Sequence, residues 1–495
     1  MSGESMISSK AIDTINTLSG DELKEFGQFI RSPYFNTNKN LVKLFDVVKS
    51  GLAKGDNNIT EEKVYGRVFP GKAYNYGIFK NLLSELYVQV CEYLAVKRLQ
   101  QKTGDKNSYL IKELVDRKLV KQADKWINTT KDLFKGKSLA IEDLHTDFLM
   151  EEYSAFSNYA RDQRWLQNLS KKEDPLMMSK KFAVYFLARF ISQYLFITHS
   201  MFQLKKEFNL KPMLDIINDT YGFLKENLDE EVPVVELLYH IVKMHSEPSN
   251  TEWYYKLKEI WLKHREDVSV QVARNGFIYL SNYCEERVEK GDDGFIHEQF
   301  NLEQEYFKDD LPLRYQGGVN PDTYEKVIIN GLTIGEFEYV EEFIEKYNKG
   351  LPETAWNATH HYTLAYFEFY RKNYDETIEL LSKIDGGFLL TEFSSKDLLL
   401  MTYYELGEWE RFYSLTISYK SFTSKHSKLH PELKESRLGF IRNIHSLAKI
   451  KENIGLKKAG LDAKLNNLLM DFKKEPSVSR VWLSRKAEEL KKELG

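Results

Sequence analysis

The chain has 495 residues, of which 42% are hydrophobic and 14% aromatic, and a net charge of −4. That is apolar material for a large core, which excludes disorder as the main state. Eleven prolines in the whole chain leave helices free to form almost throughout, and two cysteines, Cys91 and Cys284, supply neither a disulfide framework nor a metal-ligand spacing.

The opening MSGESMISSKAID lacks the basic start and apolar run of a signal peptide. Residues 1–105 form an N-terminal helical module. Ser19 caps a first helix with Leu23, Phe26 and Ile30 on one face. Pro33 in SPYFN ends it and pushes Ser32 towards an extended conformation, and Tyr34 and Phe35 are expected to plug into the module's core. Asn38 can cap the second helix, and Thr60, followed by Glu61 and Glu62, opens the third. The fourth runs over 76–101 with Phe79, Leu82, Leu83, Leu86, Val90, Tyr93 and Leu94 in stripe; Cys91, beside that stripe, is expected in the core. Three short helices and a long one permit a DNA-binding use, but no wing-like strand pair follows.

Residues 106–310 read as degenerate helical-hairpin repeats. SYLIKELVDRKLVKQADKWINTTKDLF is an apolar-striped pair with its turn near Arg117–Lys118, and further helices fall around 210–228, 232–245, 252–264 and 268–289. The stretch 182–204 is long enough to cross a bilayer, but Arg189 and Gln193 near its middle make it a helix packed within a solenoid. LPLRYQGGVNP, 311–321, marks an internal boundary.

Residues 311–495 carry TPR-like repeats with C-terminal capping helices. Around three tight turns the chain reads GEFEYVEEFI, KNYDETIELL and GEWERFYSL, with Phe337, Tyr374 and Trp409 spaced 37 and 35 apart. Helix, short turn, helix with a period in the mid-thirties belongs to tetratricopeptide-like repeats. One such pair cannot bury its apolar face alone, so pairs stack into a right-handed superhelix with a long groove. The small residue of the first helix is Ala365 in one copy, Gly331 in another, and is replaced by Met401 in the third. The three aromatics are expected to pack between helices. After an amphipathic helix over 431–450, two last helices separated by Glu475–Pro476 are rich in Lys and Glu, as suits a solvated cap.

YCEERVEKG (283–291), GLTIGEFEYVEEFIEKY (331–347), LLLMTYYELGEWERFYSL (398–415) and RVWLSRKAEEL (480–490), with SPYFN near the front, resemble a family of uncharacterised bacterial TPR-like helical-repeat proteins. The resemblance spans most of the length and implies the fold; it carries no activity.

Charge is unevenly placed: residues 1–140 hold 23 Lys+Arg against 16 Asp+Glu, residues 411–495 hold 19 against 9, and the middle holds 28 against 49. Solvated helix faces account for such a pattern, and an acidic groove that attracts a basic partner would share it. Phosphates need a basic groove, so nucleic acid is disfavoured on the middle repeats.

Motifs for chemistry are missing. There is no GxxxxGK[ST], no GxGxxG after a strand, no GxSxG and no HExxH. His426 and His430 in HSKLH are the tightest i,i+4 histidine pair, but no carboxylate completes a metal site. His360 and His361 point about 100° apart on a helix. No catalytic residue, cofactor or metal is therefore assigned. On the helix around 357–371, Tyr362, Ala365, Tyr366 and Phe369 set a core side. His360, Thr363 and Arg371 then face the groove, and His360 and Arg371 are the candidates for partner contact, Arg371 above all because guanidinium forks onto carboxylates or lies on aromatics.

The sequence thus reads as all-α: an N-terminal helical module followed by an α-α superhelix, a TPR-like solenoid. The function it favours is a non-enzymatic, cytoplasmic scaffold that binds a protein or peptide in a superhelical groove, with no membrane role. The alternative is a regulator whose N-terminal module binds DNA.

Overall fold

The computed structural model describes residues 9–53, 60–135, 140–161, 176–204, 206–308, 310–314, 318–385, 389–426, 430–453, 460–474 and 479–494. Among them the elements are α-helices with two short 3-10 turns and no strand, so the chain is all-α. Packing divides it into two units, Met1–Gly136 with Glu142–Lys181 and Lys137–Ile141 with Phe182–Gly495. Residues 103–135 therefore group with the N-terminal helices in the first unit.

In the first unit, α1 (Lys10–Asn16), α2 (Gly20–Arg31), α3 (Lys39–Ala53), α4 (Glu61–Val68) and α5 (Tyr76–Gln101) close one core around Phe26, Phe45, Phe79 and Leu86. The Ser19 hydroxyl accepts from the Glu22 N–H at 3.2 Å, and the Glu22 carboxylate accepts from the Ser19 N–H at 2.8 Å, which satisfies two of the donors a helix start leaves open. Thr60 and Asn38 accept from backbone N–H groups of the helices they precede.

The SPYFN turn corrects one expectation. Phe35 stacks on Phe29 at 4.1 Å, but Tyr34 is 88% exposed. Asn36 donates to the Ile30 carbonyl and Gln89 donates to that of Phe35, so the turn's backbone is fixed and only one of two consecutive aromatics can point inward. Cys91 is likewise exposed rather than core. It sits about 100° round the helix from buried Val90, past the edge of the apolar stripe. A smaller core of Ile111, Ile127 and Met150 joins α6 (Thr103–Asp116), α7 (Val120–Phe134) and α8 (Ile141–Arg161).

Along α9 (Met177–Leu204), Leu187, Ala188 and Ile191 are buried, while Arg189 and Gln193 are exposed. Among the described residues no helix is long and apolar enough to cross a membrane.

The second unit continues through α10 (Lys211–Asn227), α11 (Pro233–Ser246), α12 (Thr251–His264), α13 (Val270–Glu289), α14 (Gly294–Phe307), α15 (Pro321–Ile334) and α16 (Phe337–Tyr347). It ends with α17 (Glu353–Tyr370), α18 (Tyr374–Ser382), α19 (Leu389–Leu406), α20 (Trp409–Lys425), α21 (Pro431–Asn453), α22 (Leu461–Lys474) and α23 (Arg480–Leu494). Consecutive helices pair as hairpins. The first helices also pack in a row: α15 on α17, α17 on α19, α19 on α21 and α21 on α23.

One turn geometry recurs. Gly335, Lys372 and Gly407 each take a left-handed conformation, with φ of 92°, 65° and 71°. The N–H of the next residue then reaches back five positions: Glu336 to Gly331, Asn373 to Glu368 and Glu408 to Tyr403, at 2.9, 2.9 and 3.1 Å. This Schellman closure satisfies last-turn carbonyls and throws the chain into the second helix. Lys118 and Gly291 make the same closure between α6 and α7 and between α13 and α14. Phe337, Tyr374 and Trp409 are the first residues of α16, α18 and α20, two positions after the left-handed residue each time. They are not fully buried, and Phe337 is 37% exposed. A helix's first residue sits at the rim of the hairpin, so one edge of the ring meets solvent.

The small position of the first helix is a true close contact at Gly331. A Cβ there would lie 2.5 Å from Val340 Cγ2 on α16 and 2.8 Å from Phe300 on α14.

Candidate functional site: a cavity walled by the first helices

On the opposite side of α15 from Gly331, Ile329, Asn330 and Thr333 face a cavity of about 350 Å³. Glu285 and Val288 of α13, Gln299 of α14, Tyr362, Tyr366 and Tyr370 of α17, Ser394, Asp397 and Met401 of α19, and Arg437 of α21 complete its walls. The N-terminal end of α23, with Arg480 and Trp482, closes it. Periodicity builds this wall: Tyr362, Tyr366 and Tyr370 are four apart, so they stand one above another on one face of α17, with neighbouring rings 6.0 and 5.5 Å apart.

The polar lining is paired across helices. Lys326 bridges Glu285 at 2.7 Å and Asp322 at 2.8 Å; burial works against its ammonium, and the two carboxylates outweigh burial and hold its pKa up. Gln299 donates to Ser281 and Glu285, both at 3.3 Å. Behind them Glu303 is fully buried, accepts from Asn330 Nδ2 at 2.9 Å, and is pushed well above the usual carboxylate range by burial. Arg437 pairs with Asp397 and donates to Ser394 at 3.2 Å, while the Tyr419 hydroxyl donates to Asp397 at 2.8 Å. Burial lowers the Arg437 guanidinium to about 10, so it keeps its charge at neutral pH. Burial raises Tyr362 and Tyr366.

The floor of the site comes from the chain's own end. Arg480 donates to the Val288 carbonyl at 2.8 Å and pairs with Asp293, capping the C-terminal end of α13. Trp482, 3% exposed, lies 6.5 Å from the Phe369 ring and 5.4 Å from Tyr404. Arg485 stacks over Tyr370 at 5.3 Å, and Lys486 bridges Glu405 at 2.7 Å. α23 is thus more than a solvated cap: Leu483, Ala487 and Leu490 are buried, and its first turns line the cavity.

His360 and Arg371 lie outside this lining. His360 is half-buried, stacked on Trp356 at 4.6 Å, and burial lowers its pKa. Arg371 follows the end of α17, exposed, with its guanidinium 5.2 Å over Phe367 and 3.8 and 3.9 Å from Glu341 and Glu368. Thr363, expected on the groove side, is wholly buried and bonded to the Thr359 carbonyl at 2.9 Å. The tyrosine stripe read as core is the cavity wall. A helix in the middle of a stack is buried on both faces, so its apolar pattern does not say which face bounds a groove.

Among the described residues no group of three His, Cys, Asp or Glu could hold a metal. His426 and His430 fall between helices, since α20 ends at Lys425 and α21 begins at Pro431. Sequence reasoning passed over Arg480, Trp482 and the Asp397–Arg437 pair. The available signal was a tryptophan in an otherwise charged tail, RVWLSRK, which has no reason to be solvent-facing.

Comparison with protein-family models, curated proteins and solved structures gives no match to this chain.

Proposed function

We propose that the chain is a cytoplasmic, non-enzymatic scaffold of the TPR-like helical-repeat kind that holds a protein or peptide helix on the face formed by its first helices. One observation carries this reading: a helix, α23, already lies on that face, anchored by Trp482, by a hydrogen bond to the Val288 carbonyl of α13, and by charge pairs to Asp293, just before α14, and to Glu405 of α19. Helix-in-groove recognition uses an aromatic anchor in a pocket and flanking charges for register, and these are the elements present. The acidic middle of the chain and the paired lining add charge complementarity to a basic helix. Acid–base or nucleophilic chemistry would need an activated group. Here burial raises Tyr362 and Tyr366, and Asp397 is held in an ion pair with Arg437.

A photo-crosslinking amino acid at Tyr370, introduced into the full-length chain in its native cell, tests the proposal. The expected product is a covalent adduct with one or a few discrete proteins, absent when the same group is placed at exposed Glu259 on α12. Equal labelling from both positions refutes a binding face here.

A further inference from the structure

The groove is occupied, but it is not filled. The cavity of about 350 Å³ persists directly beside Trp482, and the indole N–H of that residue finds no hydrogen-bond partner among the described residues although the side chain is almost wholly buried. The Arg437 Nε is a second buried donor on the same walls without a partner among them. Buried donors without partners weaken the state that contains them, and a void removes the contacts its lining would otherwise make. α23 is therefore a poorer occupant than a helix that fills the space and meets those donors. Its hold is nonetheless specific. Arg480 reaches Val288 and Asp293, nearly two hundred residues away in sequence, and Lys486, one helical turn beyond Trp482, reaches Glu405.

Resting on the scaffold reading, we propose that α23 is a built-in, displaceable occupant, and that the partner is a basic helix carrying the same pattern: Arg, one residue, an aromatic, three residues, Lys. Such a helix takes the Asp293 end of α13, the Phe369–Tyr404 pocket and Glu405, and in doing so releases the chain's own C-terminal helix. Because α23 is tethered, it competes at the high effective concentration of an intramolecular ligand. The affinity of an outside helix is reduced by the fraction of time the groove is closed.

The probe is a fluorescently labelled synthetic peptide of residues 479–494, titrated into the full-length protein by anisotropy. The intact chain is expected to bind it weakly. Trp482→Ala in the protein loosens the tethered copy, so the peptide binds at least about tenfold tighter. Adding Glu405→Lys to that variant removes the gain, and a peptide with alanine at position 482 does not bind. A folded Trp482→Ala protein that binds the peptide no more tightly than the intact chain overturns the proposal. Should Trp482→Ala fail to fold, Arg480→Ala removes only the contacts to α13; tightening of about threefold or more is expected, and none overturns the proposal. Failure here with a discrete crosslink at Tyr370 rejects the displaceable helix and leaves the scaffold. Loss of that crosslink rejects both.

Discussion

Gly331→Ala is the sharpest test of how the hairpins stack, because two known effects oppose each other in it. Alanine is the better helix former, by about 1 kcal/mol in a helix interior. At Gly331 the new methyl would lie 2.5 Å from Val340 Cγ2 and 2.8 Å from the Phe300 ring. Carbon atoms rest about 3.5–4.0 Å apart, so both neighbours must retreat by roughly 1 Å. Val340 and Phe300 are themselves buried, Val340 on a short β-branched side chain with little freedom to rotate away. Overpacking of this kind costs about 1–3 kcal/mol for each contact forced open, and two are forced, so with the helix gain set against them a net loss of about 1–5 kcal/mol is expected. Gly222→Ala is the matched control: it sits inside α10, and a methyl there meets nothing within 4 Å. It should gain up to about 1 kcal/mol. Urea unfolding followed by far-UV circular dichroism, with hydrogen exchange of α14 to α16 to localise the change, reads both variants. Stabilisation by Gly331→Ala equal to that of Gly222→Ala would refute the close-packing argument.

Lys372 holds the left-handed turn position that glycine holds in the neighbouring hairpins, so Lys372→Gly should raise stability by about 1 kcal/mol; a loss in urea midpoint would contradict the shared turn geometry. Asp397→Ala strands the buried Arg437 charge and should cost about 3–5 kcal/mol, whereas Asp397→Leu combined with Arg437→Met should cost far less; equal losses would show that the pair is not acting as one. Burial raises Glu325 to about 7 from its ordinary 4.5, with Asp322 adding to the rise, while Thr359 and Lys326 oppose it. The folded state then binds more protons than the unfolded between those values, and stability falls as pH rises from about 4.5 to 7, by on the order of 3 kcal/mol. Glu325→Gln should remove that part of the slope, and an unchanged slope would discard it. Tyr374 is only half-buried, so Tyr374→Ala should cost about 2 kcal/mol rather than the larger loss of a fully buried aromatic, as measured by urea midpoint.

Helix positions were largely legible from local signals. The Ser19 cap, the stop at Pro33, the fourth helix over 76–101 and the turn after Arg117 all lie where short-range chemistry puts them. Those signals are energies between residues a few positions apart, which the sequence displays directly. The period of Phe337, Tyr374 and Trp409 likewise located the hairpin turns, because the left-handed residue and the aromatic are fixed to the same closure.

The sequence could not rank the two faces of a helix that is buried on both. Thr363, expected on the open groove, is wholly buried, while Tyr362 and Tyr366 are buried as expected and line the cavity as well. Tyr34 and Cys91 erred for a related reason: one residue of offset on a turn or helix exchanges inside for outside. On its own the sequence determined that the chain is helical and where its hairpins turn, because backbone caps and apolar spacing are local. Tertiary structure alone decided that the end of the chain returns to α13. Arg480 meets Val288 through a contact nearly two hundred residues apart, and only the stacking of every intervening hairpin brings those two groups within 2.8 Å.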